Sequence, residues 1–288
     1  MKNSMKKNFI LWGMCLGALC FMQKNVASAF AQKSQSLAKL KAHGQLLVCT
    51  SSGYAPFEVK TARGQWVGFD VELFESFAKR LGVRLQWVDI RWEGVFPALL
   101  SYKCDFITGG MSITPERQKV IAFSDVIYQS GNSLVILERD KDKYRSLEDL
   151  DKKGNHIAVK TGNTSDFYLQ KVLKHATILR FDTNADMLGS VLFHNKHQKA
   201  QAFAQDTIYA TMACLENENK LFILPQKLNH EDLAVGLRKQ DTFLLKEFNR
   251  FLNEWKKEGH YKKAVQYYIE SERWREKLRT DEKEMKGK

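Results

Sequence analysis

The chain has 288 residues, 44% of them hydrophobic and 27% charged, with a formal net charge of +12. That length leaves room for about two domains, and the composition excludes a disordered, collagen-like or proline-rich chain, with only four prolines and 17 glycines. One long apolar run, Phe9 to Met22, spans 14 residues, short of the roughly 20 needed to cross a bilayer, which excludes a polytopic membrane protein.

Residues 1–31 read as a secretory signal. Lys2, Lys6 and Lys7 precede the apolar run, polar Gln23-Lys24-Asn25 follows it, and Ala27-Ser28-Ala29-Phe30-Ala31 supplies small residues for cleavage. Cleavage frames after Ala29 and after Ala31 compete; Ala29-Phe30-Ala31 favours the second and leaves Gln32 first. Bulky Leu19 beside Cys20 argues against a lipoprotein. Removing four lysines and no acid lowers the net charge to +8. The remaining basic residues are interleaved with acids, most densely from Ser271 to Lys288, so a nucleic-acid partner is not expected. Cys49, Cys104 and Cys214 remain, an odd number, each in an apolar context that predicts buried unpaired thiols.

The mature chain opens with a strand over Leu46–Thr50 that runs into Ser51-Ser52-Gly53. Asp70 is predicted to cap a helix carrying Val71, Phe74, Phe77, Ala78 and Leu81 on one face, stopped by Gly82. A strand over Val83–Ile90, a short helix over Val95–Leu100 and a strand over Asp105–Thr108 ending at Gly109-Gly110 follow. Thr114-Pro115-Glu116-Arg117 is a helix start, with Thr as cap and Pro in the first turn. Two β-rich stretches, Val126–Tyr128 and Ser133–Leu137, precede a charged break from Glu138 to Lys143.

A second series then alternates strands (Ile157–Lys160, Ile178–Phe181, Gln201–Ala204) with helices (Thr164–Leu173, Asp186–Phe193, and one capped by Asp206). Leu233–Leu237 is strand-like, Leu244, Phe248, Phe251, Leu252 and Trp255 form one stripe of a long helix, and 259 to about 280 reads as helical. Strands alternating with helices on both sides of a polar break predict an α/β protein with two lobes.

Ligands of open α/β sheets bind at the carboxyl ends of strands. The groups available there suit a zwitterion. Thr164 opens a helix after a glycine turn, where free backbone N–H groups favour a carboxylate. Arg117 can bind the same carboxylate bidentately, and Asp206 can receive an ammonium. Arg117 as a solvated helix residue, Asp206 as a simple cap and Ser112 as a turn residue are the plain alternatives. The chain has no H-E-x-x-H, no G-x-S-x-G and no phosphate-binding P-loop pattern, and His194-x-x-His197 lies in a lysine-rich run that suits a solvated helix end. No metal and no cofactor are expected.

Six motifs in order carry a resemblance: Gly53-Tyr54-Ala55-Pro56-Phe57-Glu58, Gly68-Phe69-Asp70-Val71-Glu72-Leu73, Gly109 to Arg117, Phe123-Ser124-Asp125, Ser146 to Leu150, and Val159 to Ser165. Together, over about residues 38–268, the chain resembles the family-3 extracellular solute-binding proteins, the polar amino-acid receptors of ATP-binding-cassette importers. The resemblance implies a two-lobed periplasmic-binding-protein (Venus-flytrap) fold joined by two crossover strands, near Leu134–Glu138 and Asn229–Leu237. Lobe 1 would comprise 32–135 and 235–288, and lobe 2 138–230. It implies a periplasmic location, a small amino acid as ligand and a membrane permease as partner; a monomer is expected.

Carried over by residue, the resemblance gives Arg117 and the Thr164 N–H to the ligand α-carboxylate. Gly110, Ser112 and Asp206 take the α-ammonium. Tyr54 and Trp92 flank the side chain, and Ser51, Lys160 and Gln205 read its far end. Receptors for cationic amino acids often carry an acid where this chain has Ser51. With Lys160 and Gln205 this favours a glutamine or glutamate class ligand over a cationic one. Periplasmic cyclohexadienyl dehydratases are similar too. Their general acid lies three residues past the ammonium-binding aspartate, and here that residue is Tyr209, a poor proton donor at neutral pH. The expectation is a binder, with a lyase as the alternative.

Overall fold

The computed structural model describes residues 35–193, 199–271, 273–276 and 278. The signal-like segment 1–31 and the pair His194 and His197 lie outside the described residues.

Two five-stranded sheets organise the chain. The first holds β1 (Gln45–Thr50), β4 (Arg84–Asp89), β5 (Phe106–Ile107), β6 (Ala122–Phe123) and β14 (Gly236–Leu237), in the order β4-β1-β5-β14-β6. β1 is parallel to β4 and β5, and β14 antiparallel to β5 and β6. The second holds β8 (Asn132–Leu137), β9 (His156–Lys160), β10 (Thr177–Phe181), β11 (Ala202–Asp206) and β12 (Leu221–Lys227), in the order β10-β9-β11-β8-β12. Its β10-β9-β11 part is parallel, and β8 runs antiparallel to β11 and β12. β8 and β11 are buried along their whole length. Strands covered on both faces carry continuous apolar runs such as Leu134–Leu137 rather than alternation. A small hairpin of β2 (Val59–Lys60) and β3 (Trp66–Val67) decorates the first lobe.

The first lobe is closed by an aromatic core drawn from both ends of the chain. The helix Phe69–Leu81 contributes Phe74 and Phe77, and the helix Thr242–Lys257 contributes Phe248, Phe251 and Trp255. Phe77 and Phe248 meet edge to face at 5.0 Å, and Phe106 of β5 lies 5.2 Å from Phe248. Each such buried ring contributes about 1.5–3 kcal/mol through burial. The second lobe has an aliphatic core instead, with Leu134, Ile136, Ile157, Val159 and Leu169 fully buried.

The chain leaves the first sheet through β7 (Tyr128–Ser130) and returns from the second through β13 (Glu231–Leu233), which pair antiparallel. The first crossing therefore precedes the Leu134–Glu138 expected. Residues 132–137 are already bonded into the second sheet.

Two further expectations change, and two elements were not foreseen. Asp70 does not cap its helix; Gly68 does, and the Asp70 carboxyl is buried, accepting from Thr108 Oγ1 at 2.5 Å and from Gly109 N at 3.1 Å. Cys49 and Cys104 are not free thiols but a disulfide, because the segment leading into β5 runs beside β1, where Asp105 N donates to the Leu47 carbonyl; Cys214 is free. The strand Leu221–Lys227 and the helix Gln35–His43 had no counterpart in the sequence reading. No described helix is long and apolar enough to cross a membrane.

Candidate functional site

The carboxyl ends of β1, β5, β9 and β11 converge on one cavity between the lobes. All ten residues selected from the sequence border it: Ser51, Tyr54, Trp92, Gly110, Ser112, Arg117, Lys160, Thr164, Gln205 and Asp206. Three more were missed: Gly109, Asn163 and Glu231.

On the first lobe, the Gly109-Gly110 turn has φ values of +103° and +63°. A Cβ at Gly110 would stand 2.5 Å from the Tyr54 ring, so only glycine lets this backbone pass the aromatic wall. Tyr54 is buried, stacked on Phe57 at 5.3 Å and backed by Tyr209 at 6.0 Å. The turn is held from behind by two buried carboxyls. Thr50 Oγ1 donates to Glu58 Oε1 at 2.8 Å, and Asp70 takes Thr108 and Gly109 as described. Burial pushes Asp70 up to about 6 and, with the Asp70 charge, raises Glu58 well above the usual carboxylate range.

Arg117 sits on the six-residue helix Pro115–Val120, whose Thr114 cap accepts from the Arg117 N–H at 3.2 Å. Its guanidinium is buried and reaches across the cleft. Nη1 donates to the Ser112 carbonyl at 3.0 Å, and Nη2 lies 3.5 Å from the Gly162 carbonyl of the second lobe. Burial pulls its pKa down to about 10, opposed by the charge of Glu231, so it stays cationic at neutral pH. The Trp92 ring lies between two cations, 5.8 Å from Arg117 and 5.6 Å from Lys160.

On the second lobe, Lys160 ends β9 and is buried, with Nζ donating across the cleft to Ser51 Oγ at 3.1 Å. Burial lowers its pKa, against the charges of Glu58, Glu93 and Asp89. Asp206 caps the helix Thr207–Glu216, Oδ1 accepting from Ile208 N at 2.9 Å and Tyr209 N at 3.4 Å. Burial lifts Asp206 to about 6, outweighing the pull of Ser130, the backbone N–H groups and Tyr54 toward the charged form. Gln205 differs from expectation. Its Oε1 accepts from Asn163 Nδ2 at 2.7 Å and its Nε2 donates to Asn184 Oδ1 at 2.9 Å, so the amide is already held by partners of its own lobe.

Asn163 was legible as the neighbour of Thr164. Glu231 carried no local signal beyond lying in an expected crossing. Tyr209 does not border the cavity; its hydroxyl lies 3.4 Å from the Asn184 carbonyl, and burial pushes its pKa up. No group of three or more metal-ligating side chains occurs among the described residues.

Known proteins resemble this chain in sequence and fold. The model of bacterial extracellular solute-binding proteins, family 3, matches residues 46–271. The chain is 32% identical over 230 residues to the lysine/arginine/ornithine-binding periplasmic protein of Escherichia coli K12, covering 77% of this chain and 86% of that one. It is 26% identical over 255 residues to the cyclohexadienyl dehydratase of Pseudomonas aeruginosa, covering 86% and 91%. The crystal structure of an ancestral amino acid-binding protein, a precursor of cyclohexadienyl dehydratase, superposes with a TM-score of 0.76 at 33% identity, covering 81% of this chain and 99% of that one. The chain belongs to the bacterial extracellular solute-binding proteins, family 3, and has the two-lobed fold of its neighbours.

Proposed function

We propose that this family-3 solute-binding protein is an extracytoplasmic receptor. It is exported by its signal segment, works as a monomer, and delivers a polar amino acid to the membrane permease of an importer. The observation that carries the reading is a buried guanidinium, Arg117, and a buried carboxyl, Asp206, lining one cavity from opposite lobes. An α-amino acid offers each the opposite charge, so the ligand completes the closed form and its loss lets the lobes part at the β7–β13 hinge. In this reading Arg117 and the Thr164 N–H hold the carboxylate, Asp206 with the backbone of the loop from Gly110 to Ser112 the ammonium, and Tyr54 and Trp92 the stem.

The side-chain end favours a glutamine or glutamate class ligand. Lys160 is a buried cation there, and a cationic side chain would add a like charge in a low-dielectric cavity. Ser51 adds a neutral hydroxyl, and Gln205 serves by holding Asn163. A lyase reading lacks its proton donor, since Tyr209 stands outside the cavity.

A thermal-shift screen of the twenty amino acids, followed by calorimetry and a prephenate turnover assay, tests this. Glutamine or glutamate should bind most tightly, with no turnover. Arginine or lysine as the tightest ligand overturns the specificity, and absence of any amino-acid binding overturns the receptor.

A further inference from the structure

Glu231 borders the cavity yet has no part in the scheme above. It begins β13 opposite Ser130 of β7, so its backbone belongs to the hinge. Its Oε1 accepts from two hinge amides, Asn132 Nδ2 at 2.7 Å and Asn229 Nδ2 at 2.8 Å. Its Oε2 accepts from Thr164 Oγ1 of the second lobe at 2.9 Å and from Ser112 Oγ of the first. The amides fix the carboxylate in place; the hydroxyls reach it from opposite walls of the cleft.

Those two hydroxyls lie where Arg117 works. The guanidinium donates to the Ser112 carbonyl and approaches the carbonyl of Gly162, two residues before Thr164. A carboxylate bound by Arg117 therefore arrives beside Ser112 and Thr164. Each hydroxyl has one proton to give, and both are given to Glu231. The Glu231 charge also acts on Arg117, opposing the arrival of a second anion.

We propose that Glu231 is a resident carboxylate that competes with the ligand α-carboxylate for the Ser112 and Thr164 hydroxyl protons, and so holds the affinity of the site down. The inference rests on the amino-acid reading. It makes Glu231 a tuning residue of the site: the ligand carboxylate is left with the Arg117 guanidinium and the backbone N–H at Thr164.

Glu231→Gln separates competition from a structural role. The new amide keeps an oxygen for Asn132 and Asn229. Its NH2 can only donate, so the Ser112 and Thr164 protons turn toward the cavity. Calorimetry would compare the best-binding amino acid with its α-carboxamide, which keeps the ammonium and side chain but loses the anionic charge. In the variant the amino acid should bind at least about fivefold tighter, as one added hydrogen bond to a charged group allows, while the amide changes less than about twofold. Glu231→Ala, which removes the carboxylate outright, should raise the acid-to-amide affinity ratio in the same direction. An unchanged or lower ratio in both variants overturns the inference and leaves the receptor standing. A wild-type protein that binds no amino acid removes both.

Discussion

At one end of the cavity Arg117 and Asp206 are anchored by backbone, the first following the Thr114 cap and donating to two carbonyls, the second accepting two helix N–H groups. At the other end Lys160 stands at a strand terminus with one hydroxyl, Ser51, and the face of Trp92. In the proposed function the anchored end takes the part every α-amino acid shares, and the unanchored end the part that varies. Asp206 is itself a helix cap, so replacing it also removes hydrogen bonds at the start of Thr207–Glu216, whereas Arg117 meets its cap through a backbone N–H that any substitution keeps. A lysine at the end of a strand can be exchanged at little structural expense, which is how one scaffold serves different ligands.

Breaking the anchored end should have the largest effect. Arg117→Ala should cost about 2–5 kcal/mol of binding to every amino acid alike, because the ligand carboxylate is left buried without its partner. Calorimetry with two ligands of different side chain reads this; a loss confined to one of them would show that Arg117 belongs to the variable end.

Lys160→Met should act more weakly and selectively. Glutamate should lose about 1.5–3 kcal/mol, the range of a hydrogen bond to a charged group, while arginine loses nothing or gains. Equal losses for both would erase the contrast between the two ends.

The smallest effect is the pH dependence of Asp206, raised to about 6 chiefly by burial. The ligand ammonium needs the carboxylate, so below about 6 binding must expel a proton and affinity should fall by up to about tenfold per pH unit. Folding stability runs the other way. A carboxyl whose pKa is raised on folding holds its proton more tightly in the folded state, so its unfavourable contribution is complete above about 6 and fades as the pH falls toward the ordinary carboxylate range. Asp206→Asn should bind weakly at every pH and lose this dependence. Titrating binding from pH 5 to 8 in both proteins checks it.

The helices and strands that frame the site were legible because each carries its own local physics. Thr114 and Asp206 are caps whose side chains bond the next turn, and the stripe Leu244 to Trp255 repeats at the helical period. The glycines at 109 and 110 mark a strand end wherever they occur. Asp70 misled because a carboxylate just inside a helix start resembles a cap, and its true partners, Thr108 and Gly109, lie on another element. The strand Leu221–Lys227 escaped because Pro225 interrupts it, which an edge strand tolerates.

By itself the chain determined its alternating elements and its two lobes, since caps, turns and periodic apolar faces act between near neighbours; most of the ten cavity residues were picked out only by the resemblance to a family. Only the tertiary structure decided the rest. Cys49 pairs with Cys104 because the segment leading into β5 runs beside β1, not because of their spacing. The Gln205 amide is taken up by Asn163 and Asn184, which reach it from other elements. Glu231 enters the site from the returning crossing, met there by Asn132, Thr164 and Ser112. Hydrogen bonds between groups dozens of residues apart leave no periodicity and no motif in the chain, so their partners appear only when the strands have taken their order.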